Sequence, residues 1–131
     1  MQPEQLILEG TIHNTKYNKY KNVWVEGGFT LFVPLWRYDL LNLGEIEIPE
    51  YSIEASELIS RIENYYAQPA SLDLLDEIER RDPTVGDELD EYRSDLQRGK
   101  RVNIGDLLGG LLYMESIEFG GQGNYQLLLG S

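Results

Sequence analysis

Val23-Trp24-Val25-Glu26-Gly27-Gly28-Phe29-Thr30-Leu31-Phe32-Val33 sets two runs of β-branched and aromatic residues on either side of a glycine pair. Glycine reaches the positive φ values that a two-residue turn demands, so the stretch reads as a β-hairpin closed at Gly27-Gly28, with Pro34 ending its second strand. On the N-terminal side, Leu6 to Ile12 alternates roughly between apolar and polar positions and reads as a further strand. His13 to Asn22 is polar and rich in asparagine, as a loop would be. On the C-terminal side, Glu45-Ile46-Glu47-Ile48 alternates strictly before Pro49, which fits a short strand with one wet face.

The period then changes. Ser52 is placed to cap a helix in which Leu58, Ile59, Ile62, Tyr65 and Tyr66 form one apolar stripe, and Pro69 stops it. Ser71 is placed to cap a second helix with Leu72, Leu75 and Ile78 on one side, broken at Asp82-Pro83. Thr84 to Asp87 has capping-box spacing, and Val85, Leu89, Tyr92 and Leu96 recur at helical intervals until Gly99. Arg98, Lys100 and Arg101 at that end complement the helix dipole. Ile104 to Gly110 fits a short helix or a loop equally well. Leu111 to Phe119 and Tyr125 to Leu129 read as two strands joined by Gly120-Gly121-Gln122-Gly123-Asn124, a second hairpin. The expected fold is α+β: a small, mainly antiparallel sheet of two hairpins packed with about three acidic helices in a single domain. Residues 1–48 are β-rich, 52–98 form an acidic helical segment, and 102–131 are mainly β.

A chain of 131 residues with 41% hydrophobic content can bury a core, but its balance of 23 acidic residues against 11 Lys and Arg gives a net charge of −12. The imbalance is local: Glu45 to Asp95 holds 16 acids and 4 arginines, while the remainder of the chain is neutral. A field of that sign repels phosphate backbones and anionic lipid, so no direct nucleic-acid or membrane binding is expected. Cysteine is absent, which excludes disulfides, thiolate metal sites and cysteine nucleophiles. Met1 to Gly10 carries no Lys or Arg and only a three-residue apolar run, unlike a secretory or transit peptide, and a cytoplasmic home is expected.

Enzyme chemistry finds few footholds. His13 is the one histidine and reads as a polar junction residue rather than a ligand or general base. No Gly-x-Ser-x-Gly elbow is present, and Gly120-Gly121-Gln122-Gly123 lacks the Gly-Lys-Ser/Thr ending of a phosphate loop. No catalytic, cofactor or metal residues are expected.

The candidates are partner-binding ones. Asp87, Asp90 and Glu91 are neighbours on the third expected helix, and Glu88, Glu91 and Asp95 form another row, with Asp76 and Glu79 on the helix before. Such rows read either as a solvated face or as a surface for a cationic partner. A second candidate is the basic, aromatic loop Lys16, Tyr17, Lys19, Tyr20 and Lys21. Single-strand binders use such loops, but beside so acidic a segment it fits a protein-recognition loop or an internal counter-charge better. Trp24, Phe29, Phe32 and Trp36 are expected to fill the core, leaving Tyr65, Tyr66, Tyr17 and Tyr20 as interface candidates. The function that follows is a non-enzymatic acidic interaction module, an adaptor, assembly component or inhibitor, whose protein partner has a basic surface. One alternative is a DNA-mimic inhibitor of a nucleic-acid-binding enzyme, of anti-restriction or anti-CRISPR type. A second is a small carboxylate-dependent hydrolase or lyase. A homo-oligomer is left open.

Overall fold

The computed structural model describes residues 1–13, 17–37 and 42–131, with the side chain of Tyr17 left aside. Four strands in the first half, β1 (Trp24–Val25), β2 (Phe29–Val33), β3 (Gly44–Ile48) and β4 (Ile53–Glu54), do not pair as expected. β2 runs antiparallel to β3, from Phe29 opposite Ile48 to Val33 opposite Gly44, while β1 pairs antiparallel with β4 in a separate two-stranded sheet. The anticipated hairpin closed at Gly27-Gly28 is therefore absent. Gly28 does take a positive φ of 78°, but its N–H donates to the Pro49 carbonyl at 2.7 Å instead of closing a turn. A Cβ on Gly27 would overlap the carbonyl oxygens of Pro49 and Tyr51, so glycine serves close backbone approach here. The two antiparallel pairs follow one another along the same two stretches of chain, and their registers differ by one residue.

The main sheet is completed by β5 (Tyr113–Gly121) and β6 (Asn124–Gly130), in the order β3-β2-β6-β5. β6 is parallel to β2 and antiparallel to β5. This second hairpin forms as expected, with its turn narrowed to Gln122 and Gly123, whose φ angles of 46° and 76° match a type I′ turn. The expected strand at Leu6 to Ile12 does not form. Leu6 and Leu8 are buried while Ile7 is exposed, but the segment touches β5 through a single bridge between Thr11 and Tyr113, after Gly10 turns the chain at φ 109°. Its alternation reports one-sided burial without a ladder.

Three helices follow: α1 (Ala55–Ala67), α2 (Leu72–Arg81) and α3 (Gly86–Gln97). Ser71 caps α2 as expected, its hydroxyl accepting from Leu74 N–H at 3.1 Å. Ser52 does not cap α1, because β4 intervenes and Glu54 takes the capping position without a side-chain bond to the helix. Thr84 does not cap α3. A 3-10 turn at Pro83–Val85 comes first, and the Thr84 hydroxyl donates back to Asp82 Oδ1 at 2.6 Å. Ile104–Leu108 is a 3-10 turn, held where Asn103 N–H donates to Asp106 Oδ2 at 2.8 Å.

The inner face of the sheet, α1, and the apolar sides of α2 and α3 share one buried core. It contains Leu31, Val33 and Ile46 from the sheet, Leu58, Ile59, Ile62 and Tyr66 from α1, and Leu75, Ile78 and Leu89 from α2 and α3. Trp36 and Phe29 lie in it as expected, whereas Trp24 is 52% exposed and Phe32 is half-buried on the opposite face of the sheet. No described helix is long and apolar enough to cross a membrane.

Candidate partner-binding surface

α2 and α3 pack side by side, with Leu75, Ile78, Val85 and Leu89 in the shared core, and this packing brings three of the acidic candidates, Asp76, Glu79 and Asp90, together. The arrangement is not a bare array of carboxylates. Arg93 of α3 spreads its guanidinium among three of them: Nη1 donates to Asp90 Oδ1 at 2.8 Å and to Glu79 Oε1 at 2.9 Å, and Nη2 to Asp76 Oδ1 at 2.9 Å. These bonds, led by that to Asp90 and then that to Glu79, raise the Arg93 pKa above its ordinary value. A Cβ at Gly86 would lie 2.8 Å from Glu79 Oε1, so the small residue opening α3 leaves that carboxylate room beside Arg93.

The other helical candidates divide into paired and unpaired. Glu88 lies 3.7 Å from Arg37 Nη2 and Asp95 lies 3.9 Å from Lys100 Nζ. Glu91 and Asp87 are exposed and form no ion pair among the described residues. Arg37 had no role in the sequence reading. Its guanidinium stacks over Trp36 at 4.8 Å and Tyr92 at 5.6 Å, and Nη1 donates to the Tyr92 hydroxyl at 3.0 Å. It thereby ties α3 to the segment leaving β2. A lone arginine after a tryptophan gave no periodic signal of this contact.

The basic loop is reassigned in part. A 3-10 turn covers Tyr17–Tyr20, and Tyr20 is buried, so its ring offers nothing to a partner. The backbone N–H of Glu9 donates to the Tyr20 hydroxyl at 2.6 Å, and Lys19 pairs with the Glu9 carboxylate. Lys19 is thus a counter-charge, although to the N-terminal segment and not to the acidic helices. Lys21 is exposed; Lys16 and the side chain of Tyr17 lie outside the described residues. Tyr66 also fails as an interface residue: it is fully buried, and its hydroxyl donates to the Pro34 carbonyl at 2.7 Å. Burial, and then the neighbouring Tyr65, push its pKa well above the usual tyrosine value.

A second acidic region was overlooked as a surface. Glu45 and Glu47 on β3 and Glu118 on β5 project from the outer face of the main sheet, and none makes an ion pair among the described residues. Thr30 Oγ1 lies 2.9 and 3.0 Å from the two carboxylate oxygens of Glu47 and orients that group. The alternation of Glu45 to Ile48 signalled a wet face; which strands would extend that face depended on pairings far apart in sequence. Among the described residues, no three histidine, aspartate or glutamate side chains are placed to hold a metal ion.

No protein-family model, curated protein or solved structure matches this chain.

Proposed function

We propose that this chain is a non-enzymatic acidic interaction module, acting in the cytoplasm as an adaptor, assembly component or inhibitor, and that its partner is a protein with a basic surface. The observation that carries this reading is the net charge of −12 concentrated between Glu45 and Asp95, with Asp87 and Glu91 exposed on α3 and in no ion pair among the described residues. Unpaired surface carboxylates steer a cationic partner during encounter and make the association sensitive to salt.

The DNA-mimic reading asks for an uninterrupted array of negative charge, and Arg93 interrupts the array on α2 and α3, so it draws less support. The hydrolase or lyase reading draws least, because the helical carboxylates gather around an arginine.

Affinity capture on the immobilised full chain, with washes at low salt and at about 1 M salt, where screening is nearly complete, tests the proposal. The expected outcome is a basic protein retained at low salt, released at high salt, and bound in purified form with the same salt dependence. Retention only of nucleic acid, or of partners indifferent to salt, would count against it.

A further inference from the structure

No described helix covers the outer face of the main sheet. Pairing places Glu47, Thr30 and Asn124 in one row across it, and Glu45, Phe32, Gln126 and Glu118 in the next. Leu128, two residues beyond Gln126, lies on the same face and pairs with Ser116. Phe32 and Leu128, on the two central strands, are half-buried, and the carboxylates stand on the edge strands. At one end, the Pro49-Glu50 corner and the Gln122-Gly123 turn flank an open hollow of about 440 Å³ whose described lining includes Thr30, Glu47, Glu50 and Asn124, with no Lys or Arg.

Charges on edge strands deter unwanted strand pairing, and that explains Glu45, Glu47 and Glu118 in part. It does not explain outward apolar groups on the central strands, nor a recess lined by two carboxylates. We propose that this face is a docking surface for a protein segment presenting an arginine or lysine beside an apolar side chain, the cation seated between Glu47 and Glu50 and the apolar group resting on Phe32 and Leu128. The spacing suits an extended segment: the recess at Thr30 and the apolar ground at Phe32 are two residues apart along β2, and positions i and i+2 of an extended chain are about 6.6 Å apart. Charge complementarity selects the occupant. Phosphates would be repelled, and a second copy of this chain would set its own glutamates against these. The inference rests on the proposed basic partner and places the contact on the sheet.

The test is a ¹H–¹⁵N NMR titration of the full chain with a capped synthetic peptide of repeated arginine-threonine-leucine-threonine, alongside the same peptide with glutamate for arginine. Perturbed amides should cluster at Thr30, Phe32, Glu47, Asn124 and Gln126 with the first peptide and be absent with the second. Glu47→Lys with Glu50→Lys should weaken binding about tenfold or more and Phe32→Ser several-fold, the first by more than Asp87→Lys with Glu91→Lys, which removes only longer-range attraction. Glu118→Lys, which leaves the Thr30–Glu47 hydrogen bond intact, should also weaken binding and guards against a fold defect in the first variant. Perturbations centred on α3 and abolished by its reversals would overturn the sheet assignment while upholding the basic-partner reading. Absence of binding anywhere would overturn both. Concentration-dependent changes on this face without peptide would show a second copy there and overturn the proposal.

Discussion

The two acidic regions of this protein treat charge in opposite ways. On the helical pair α2 and α3, Asp76, Glu79 and Asp90 converge on the Arg93 guanidinium, and Glu77 pairs with both Arg80 and Arg81. On the outer sheet face, Glu45, Glu47 and Glu118 have no cation among the described residues. The first region spends two of its carboxylates, Asp76 and Glu79, on bridging α2 to α3 through Arg93, although Asp87 and Glu91 stay exposed; the second leaves all three facing solvent. The number of acids along the chain is thus a poor guide to where attraction is available, because the few arginines neutralise some carboxylates locally and leave others without a counter-charge.

Breaking the helical network is the strongest way to sharpen this contrast. Arg93→Met should lower stability by about 1–3 kcal/mol, because three carboxylates lose their shared donor and repel one another. Thermal denaturation at low and high salt checks it, and added salt should recover part of the loss by screening. The sheet variant Glu47→Lys with Glu50→Lys should instead change stability by no more than about 0.5 kcal/mol, the usual range for surface substitutions, while abolishing most peptide binding. Chemical denaturation and titration of the same sample separate the two effects.

A smaller effect comes from below both surfaces. Burial raises the Tyr66 and Tyr65 pKa values, and it raises that of Tyr125, where Glu4 adds to the shift. A tyrosine raised in the folded state keeps its proton while the unfolded chain ionises, so stability is fully present below about pH 10 and falls as pH rises beyond it. Tyr66→Phe should cost about 1 kcal/mol near neutrality by losing the hydrogen bond to the Pro34 carbonyl, and should flatten the alkaline decline seen in pH-dependent unfolding. Smallest of all, Glu91→Lys should move stability by less than about 0.5 kcal/mol, since that exposed carboxylate is in no ion pair among the described residues. A larger drop in its melting temperature would mean that the exposed row on α3 is structural after all.

Sequence made the helices legible because each carries its own signals: an apolar stripe, a proline or glycine stop, and at Ser71 a cap that forms as written. It misled where local patterns had two physical uses. Gly120 to Asn124 and Gly27-Gly28 look alike as hairpin turns, yet only the first closes one. At the second, glycine admits the Pro49 and Tyr51 carbonyls of a crossing segment 22 to 24 residues away. The candidate surface was legible only as charge. Arg93 reaches Asp90 within its own helix, a spacing that sequence displays, but its bonds to Asp76 and Glu79 depend on how α2 packs against α3. The sheet face depended on the parallel pairing of β2 with β6, strands separated by most of the chain. Tyr20 and Tyr66 were misread for the same reason, since burial is a property of what packs over a residue.

On the proposed reading, exposed carboxylates with no ion pair among the described residues make this chain a receptor for a basic protein. The most direct measurement is the affinity of the purified partner for the wild-type chain across a series of salt concentrations, beside the Glu47→Lys/Glu50→Lys and Asp87→Lys/Glu91→Lys variants. Binding should weaken steeply with salt and be lost in the sheet variant. Affinity that ignores salt and survives both reversals would contradict that reading.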